Sequence, residues 1–181
     1  MKGVVFTEFL EMVEEKFSPA VADSVIEQSA LASGGAYTTL GSYDHQEMLQ
    51  LVTNLSAATG VPPQDLIRVF GEHLFGRFLD YYPQLFTGID SALELLRRVE
   101  DYIHVEVRKL YPDAELPTFQ CWMVGREQLS MTYRSKRPFA ALAEGLIRGC
   151  IEHFDEDINL EIHDLSNGAG TAARFVLTKR G

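Results

Sequence analysis

Apolar side chains recur at three- and four-residue spacing through the first half of the chain, which is the pattern of amphipathic helices. The first such stretch runs through residues 4–17, and Ser18 followed by Pro19 is typical of the start of a second helix. Asp44 and Glu47 have the spacing of a capping box and predict the start of a third helix. The pattern therefore predicts a helical N-terminal lobe.

The spacing changes in the second half of the chain. Ser91 and Glu94 form another capping-box pair, and the helix that they begin is predicted to end before Pro112. After this helix, apolar and polar residues alternate in four short stretches, with one helical stretch between the second and the third. The predicted strands are 119–124, 128–135, 158–166 and 172–179, and the predicted helix is 139–154. This order predicts an α+β protein with a four-stranded antiparallel sheet in its C-terminal lobe.

Length and composition favour one domain over residues 1–181, with a helical lobe at about 1–90 and the sheet-containing lobe at 91–181. Hydrophobic residues make up 46% of the chain and charged residues 23%, as in an ordinary globular protein. The formal net charge of −10 disfavours nucleic-acid binding, which normally requires a basic surface. No apolar run approaches a membrane helix in length, and glutamates interrupt the N-terminal stretch where a signal peptide would be apolar. With only two cysteines, we expect a cytoplasmic protein without disulfides.

His104 is an unusual residue in the predicted helix that starts at Ser91. On a helical wheel it falls about 20° from Leu93, at the margin of the apolar stripe. One interpretation is a histidine at the edge of the core, hydrogen-bonded to a carbonyl group. The other is an axial metal ligand. Glu100 is the one further candidate ligand nearby, so a zinc set is not available, whereas haem needs only one protein imidazole.

A second candidate site is the sequence around Tyr133, Ser135 and Arg137. In an extended strand these three side chains would share one face, and Arg134 and Lys136 would lie on the other. Two hydroxyls and a guanidinium suit an anion, and with His104 in the same chain the two propionates of haem are the leading candidate. The simpler interpretation of this motif alone is a solvated strand face.

Taken together, these features resemble the H-NOX (haem–nitric oxide/oxygen binding) family of sensor domains. The resemblance rests on the opening MKGVVFTEFL, the helix with His104, Pro117, and the motif from Tyr133 to Arg137. It implies haem between a distal helical lobe and a proximal lobe that contains the sheet. It also implies that His104 is the iron ligand, that Tyr133, Ser135 and Arg137 hold the propionates, and that Pro117 presses on the porphyrin.

The resemblance also bears on which gas is bound. Oxygen-binding members of the family have a tyrosine five residues after the motif arginine, and this chain has Leu142 there. The distal pocket that the resemblance implies has no hydrogen-bond donor among its side chains; it consists of Val5, Phe9, Leu74, Phe78, Leu142 and Leu146. We therefore expect a sensor that binds nitric oxide and carbon monoxide and does not hold O₂ stably.

Signalling in the family would begin at the iron. The resemblance implies that NO weakens the bond between iron and His104, the porphyrin flattens against Pro117, and the two lobes shift. Because the chain is short, we expect a sensor without enzyme activity that acts on a separate histidine kinase, diguanylate cyclase or cyclic-di-GMP phosphodiesterase. An alternative is a haem-free module that binds a small anion or a protein at Arg137. A haem peroxidase or oxygenase is less favoured, because the expected distal side chains supply no acid or base.

Overall fold

A computed structural model describes residues 1–180 of the protein. The helical first part consists of four α-helices and a short 3₁₀ turn at Pro83–Leu85. The second part contains three α-helices and four strands. The helices are α1 (Gly3–Lys16), α2 (Pro19–Glu27), α3 (His45–Thr59), α4 (Pro63–Tyr81), α5 (Ala92–Arg97), α6 (His104–Leu110) and α7 (Ala140–His153). In the described part of the chain, none of these helices is both long and apolar enough to cross a membrane.

Three helices begin at the polar residues that the sequence indicated. The Ser18 hydroxyl accepts the N–H of Val21 at 3.2 Å at the start of α2. Asp44 accepts the N–H of Gln46 at 3.0 Å at the start of α3. Ser91 caps α5 in the same way, at 3.3 Å from the N–H of Glu94. Each side chain satisfies a backbone donor that has no partner within its helix.

The helix predicted from Ser91 to Pro112 is not continuous, which differs from the expectation. A π turn at Val99–Ile103 separates α5 from α6. Within it, the N–H of Ile103 bonds to the carbonyl of Arg98, five residues earlier, at 3.2 Å. This wider turn changes the helical phase, so a wheel at about 100° per residue does not relate α5 to α6. His104 is the first residue after the turn.

The four strands form one antiparallel sheet, as predicted. They are β1 (Thr118–Val124), β2 (Gln128–Arg134), β3 (Ile158–Asp164) and β4 (Ala172–Lys179), in the order β1-β2-β4-β3. Alternate residues of β2 and β4, including Leu129, Met131 and Phe175, are fully buried. They pack into a core with α5 and with Ile147 and Cys150 of α7, so the helices cover one face of the sheet.

Two apolar cores meet along α4 and α7. The first core contains side chains of α1–α4 together with Phe139, and the second contains α5, the sheet and α7. Leu146 of α7 packs against both cores, although sequence position assigned α7 to the C-terminal lobe alone. The two helices touch through glycines: a Cβ on Gly145 would lie 2.0 Å from the carbonyl oxygen of Arg68. The Cα of Gly71 would be 2.8 Å from the same Cβ, so the backbones themselves are in contact.

Candidate functional site

His104 lies in a buried position at the start of α6, with only 8% of its surface exposed. Its Nδ1 is 3.1 Å from a carboxylate oxygen of Glu100, which belongs to the π turn. The same oxygen accepts a hydrogen bond of 2.9 Å from the backbone N–H of Phe119 on β1. The imidazole is therefore oriented by its own helix and, through Glu100, by the sheet.

This arrangement leaves one imidazole nitrogen available. Burial lowers the pKa of His104 from its ordinary value of 6.5, although the Glu100 carboxylate opposes the shift. The ring is thus neutral at neutral pH, and the proton shared with Glu100 is on Nδ1, because a carboxylate only accepts hydrogen bonds. Nε2 then has a free lone pair, which is the form in which histidine binds a metal.

The pairing of β1 with β2 brings the Tyr133 motif next to His104. Phe119 and Tyr133 are directly opposite each other in the antiparallel ladder. The ring centroid of Phe119 lies 5.8 Å from that of His104 and 5.5 Å from that of Tyr133. Two features that are distant in sequence are therefore connected through one aromatic side chain.

The donor motif extends past the end of its strand, which corrects the sequence prediction. β2 ends at Arg134, so Ser135 and Arg137 lie in the loop before α7. The backbone N–H of Ser135 still donates to the Thr171 carbonyl at 2.8 Å, next to the last pair of the ladder. The N–H of Arg137 instead donates to the Ser135 hydroxyl at 3.0 Å in a local turn. The strand alternation assumed from the sequence therefore does not extend to Arg137.

The three donors nevertheless lie together. Tyr133 is buried and Ser135 and Arg137 are half-buried, whereas Arg134 and Lys136 are exposed. Burial raises the pKa of Tyr133, and the hydroxyl of Ser135 and the charge of Arg137 oppose that shift. The phenol, the hydroxyl and the guanidinium thus form one cluster, and the two remaining cations of the motif face solvent.

Arg137 makes an ion pair with Glu115, a residue that the sequence pattern did not single out. The Arg137 side chain is 18% exposed, whereas that of Glu115 is 72% exposed. Glu115 belongs to the irregular segment 111–117, which has no periodicity from which a partner could be inferred. Arg137 is thus already paired with a carboxylate, the type of group that a guanidinium binds most readily.

Pro117 is half-buried and immediately precedes β1. It lies two positions before Phe119, whose ring packs between His104 and Tyr133. Because proline fixes its own φ angle, the entry into β1 is stiff at this point. The structure thus places Pro117 in the chain segment beside the candidate site.

The six side chains expected in the distal pocket all belong to the first core. Phe9 and Leu74 are buried within it, and the other four pack against it while keeping some exposed surface: Val5, Phe78, Leu142 and Leu146. Val5 and Leu142 also line a narrow apolar crevice with Met1 and Phe139. None of the six has a hydrogen-bond donor in its side chain.

Comparison with known proteins identifies the family to which this architecture belongs. The family model described as Haem-NO-binding matches residues 2–162. The unliganded Fe(II) H-NOX protein from K. algicida is 42% identical, with 100% of this chain and 97% of that chain covered and a TM-score of 0.94. This chain is a member of the H-NOX family. Its α+β fold, with one four-stranded antiparallel sheet, is that of H-NOX proteins.

Two further H-NOX structures were determined with a gas bound. The protein from S. oneidensis in the Fe(II)NO state is 26% identical, with 100% of both chains covered and a TM-score of 0.91. The protein from Shewanella woodyi, bound to IWP-051 in the Fe(II)CO state, is 42% identical. It has a TM-score of 0.84, with 99% of this chain and 95% of that chain covered. No match was found among curated proteins.

H-NOX domains are haem-based gas sensors, and the side chains of this member fit a haem. Within residues 1–180, no group of three histidine, cysteine or acidic side chains could hold a metal ion by itself. One buried imidazole with a free Nε2 is the single protein ligand that a haem iron requires. The cluster at Arg137 contains hydrogen-bond donors of the kind that carboxylates accept, and the partly exposed side chains of the first core are apolar.

Two residues near this site have positions that the sequence predicted only in part or not at all. Glu100 lies four positions before His104, so an α-helix would place it on the same face, and it was expected only as a possible metal ligand. The structure assigns it instead to the imidazole Nδ1. The N-terminal amine of Met1 donates to the Tyr43 carbonyl at 2.7 Å, and burial first and the positive charge of Arg137 second lower the pKa of this amine. Nothing in the sequence pattern indicated this position of the N-terminus.

Proposed function

We propose that this H-NOX protein binds haem b and senses nitric oxide, and that residues 1–181 act as one sensor domain. The observation that carries the proposal is the neutral, buried imidazole of His104, which is held at Nδ1 and free at Nε2. When bound, haem supplies an iron with four porphyrin nitrogens, one position for a protein imidazole and one for a gas. His104 is the residue of this chain that suits the first of these positions.

The proximal residues would hold the macrocycle in place. The phenol of Tyr133, the hydroxyl of Ser135 and the guanidinium of Arg137 would donate to the propionates, with Arg137 leaving Glu115 to do so. Pro117, at the stiff entry into β1, would contact the porphyrin and hold it away from planarity. These roles are supported by the clustering of the three donors and by the short path from Tyr133 through Phe119 to His104.

The distal residues would select the gas. The wall formed by Val5, Phe9, Leu74, Phe78, Leu142 and Leu146 is apolar. Dioxygen at a haem iron becomes polarised and is held best by a hydrogen-bond donor, which this wall does not offer. Nitric oxide and carbon monoxide bind without such a donor. We therefore propose that both gases bind and that O₂ is not retained.

The output would be a relative movement of the two lobes. His104 would hold the haem while no gas is bound; if binding of NO loosened that attachment, the imidazole would be released and α6 would move with it. We propose that a separate effector, either a histidine kinase or a diguanylate cyclase or phosphodiesterase of cyclic-di-GMP, responds to this movement. A role without catalysis in this chain is supported by the distal side chains, which supply no general acid or base.

The test of haem binding combines absorption spectra with substitution of His104. Protein purified with haem available is expected to show a Soret band that persists through gel filtration. His104→Gly should lose most of that haem, and added imidazole should restore the band, because free imidazole can occupy the position of the side chain. The control is His163→Gly, since His163 is 54% exposed on β3 and has no role in the site.

Two results would contradict this proposal. A folded wild-type protein without a Soret band would favour the haem-free module, with the Arg137 cluster binding another anion. Equal haem retention in wild type, His104→Gly and His163→Gly would remove His104 as the ligand while leaving haem binding itself intact.

A further inference from the structure

Glu100 joins the two parts of the proximal lobe that meet at His104. It belongs to the π turn Val99–Ile103, directly before α6. One of its carboxylate oxygens, Oε2, lies 3.1 Å from Nδ1 of His104 and accepts the backbone N–H of Phe119 at 2.9 Å. One atom therefore connects the candidate axial ligand to the second residue of β1.

The other carboxylate oxygen also has a partner. Oε1 of Glu100 lies 3.6 Å from the guanidinium of Arg108, one helical turn beyond His104 on α6. The Glu100 side chain is 27% exposed and that of Arg108 is 45% exposed, so the cation reaches the site from the solvent side. Both carboxylate oxygens are thus engaged, and the side chain is restrained in one orientation.

We infer that Glu100 is a positioning residue: it fixes the orientation and raises the basicity of His104, and it transmits displacement of His104 to β1. This inference rests on the proposed role of His104 as the haem ligand. A carboxylate that accepts the Nδ1–H bond increases electron donation from Nε2 and makes the imidazole a stronger ligand. Glu100 thereby opposes release of His104 when a gas weakens the opposite bond.

The mechanical part of the inference follows from the shared oxygen atom. If α6 moves away from the haem, Oε2 of Glu100 cannot keep both the Nδ1 proton of His104 and the N–H of Phe119 at their present distances. Phe119 also packs against the rings of His104 and Tyr133. A change at the axial ligand is therefore passed to the start of β1 and to the propionate cluster in one step.

The decisive experiment compares Glu100→Gln and Glu100→Ala with wild type in the reduced, gas-free protein. Resonance Raman spectroscopy measures the iron–histidine stretching frequency. The frequency should be highest in wild type, lower in Glu100→Gln and lowest in Glu100→Ala, because glutamine keeps an acceptor without the charge and alanine removes both. Loss of an outer partner of a metal-bound histidine typically costs about 10- to 100-fold in affinity, so haem should dissociate at least about tenfold faster from Glu100→Ala.

Glu106→Gln is the matched control. Glu106 lies on α6 as well, but its carboxylate pairs with Lys109 at 2.6 Å and has no bond to His104. Its substitution should leave the stretching frequency and the rate of haem loss unchanged. Amide hydrogen exchange adds an independent readout, since protection of the Phe119 N–H should fall in Glu100→Ala and stay at the wild-type level in Glu106→Gln.

The outcomes separate this inference from the proposed function. A wild-type protein that binds haem through His104, with the same stretching frequency in Glu100→Gln, Glu100→Ala and Glu106→Gln, would overturn the role of Glu100 and leave the sensor intact. A wild-type protein without haem would overturn both. Unchanged protection of Phe119 in a folded Glu100→Ala variant would overturn the transmission to β1. The near-isosteric Glu100→Gln keeps the frequency test valid even if Glu100→Ala does not fold.

Discussion

Leu142 is the side chain at which the oxygen selectivity proposed for this H-NOX protein can be tested. It packs against the apolar core of the helical lobe and lines the crevice that also contains Val5. We predict that Leu142→Tyr brings a hydroxyl donor into the distal pocket and raises O₂ affinity by about 10- to 100-fold, the effect of one hydrogen bond to a polarised ligand. Absorption spectra of the reduced protein in air and under nitrogen should then differ for the variant and agree for wild type.

Leu142→Phe is the control for that substitution. It adds an aromatic ring of nearly the same size but no hydroxyl, so its spectra in air and under nitrogen should agree. If Leu142→Phe changes the response to O₂ as much as Leu142→Tyr does, pocket shape and not the donor is responsible. If wild type already retains O₂, the selectivity proposed for the apolar wall is wrong.

At this scale the sequence predicted more of the candidate site than of the contacts that support it. His104 and Tyr133 could be identified because a lone histidine in a mainly apolar helix and a run of donors are visible as local patterns, although the π turn invalidates the wheel position from which His104 was argued. The ion pair between Arg137 and Glu115 could not be predicted from the sequence, because Glu115 lies in an irregular segment whose path is decided by tertiary packing. The roles of all these residues at the haem stay predictions until they are tested.

At the scale of elements, the contact between α4 and α7 depends on the absence of a side chain. A Cβ at Gly145 would lie 2.0 Å from the backbone oxygen of Arg68, and backbone cannot move aside as a flexible side chain does. We predict that Gly145→Ala destabilises the fold by about 3 kcal/mol or more, at or above the usual cost of overpacking. Urea unfolding followed by circular dichroism measures the loss.

Gly76→Ala is the matched comparison, because Gly76 is an exposed residue of α4 and a Cβ added there would have no other atom within 4 Å. There alanine should stabilise the protein by up to about 1 kcal/mol through helix propensity. The two glycine-to-alanine substitutions should thus change the free energy of unfolding in opposite directions. If Gly145→Ala also stabilises the protein, helix propensity and not close packing governs Gly145.

Element types and the four-stranded antiparallel sheet were predictable, whereas the order of the strands in the sheet and the division of the core were not. Alternation marked all four strands to within two residues, and hydroxyl or carboxylate caps marked three helix starts. The π turn left no local signal, since Val99–Ile103 contains neither glycine nor proline. Side chains of helix α7 pack in both cores because glycines let α4 approach it closely. This close approach depends on both helices together and is not apparent from the sequence of either one alone.

For the molecule as a whole, Lys2 ties the N-terminus to the segment between α6 and β1. Its ammonium lies 3.1 Å from the Asp113 carboxylate and donates to the Leu40 carbonyl at 2.7 Å, while Ser42 donates to Asp113 at 2.8 Å. The hydrogen bonds from Ser42 and Lys2 lower the pKa of Asp113 from its ordinary value of 3.8. This contact joins residues that sequence position places in different lobes.

The lowered pKa means that the ionised Asp113 carboxylate stabilises the folded state. The contribution of Asp113 is fully present above its ordinary pKa of 3.8 and is lost as the pH falls through the lower value of the folded state. We predict that Asp113→Asn lowers the thermal midpoint slightly at neutral pH, and that the difference from wild type disappears in strong acid. Thermal unfolding across this pH range measures the effect, which should be small because Asp113 is exposed.

A double-mutant cycle with Lys2→Met provides the control for this prediction. The two substitutions should be less than additive, because either one removes the same ion pair. Strict additivity would mean that Lys2 and Asp113 act independently, and that the contact across the two lobes does not contribute to the cohesion of the molecule.

The π turn before His104 lets the helix contain one residue more than a regular helix would between the same two points. If the same residues were wound as a regular α-helix, every side chain beyond the turn would be rotated by about 100° relative to α5, and His104 would no longer face Phe119. Deletion of one residue from Val99–Ile103 can therefore be taken up by a return to regular winding, whereas deletion of one residue from α5 or α6 cannot. A related sequence that is one residue shorter between Ser91 and His104 can thus still place its histidine against the sheet, with a regular helix where this protein has the π turn.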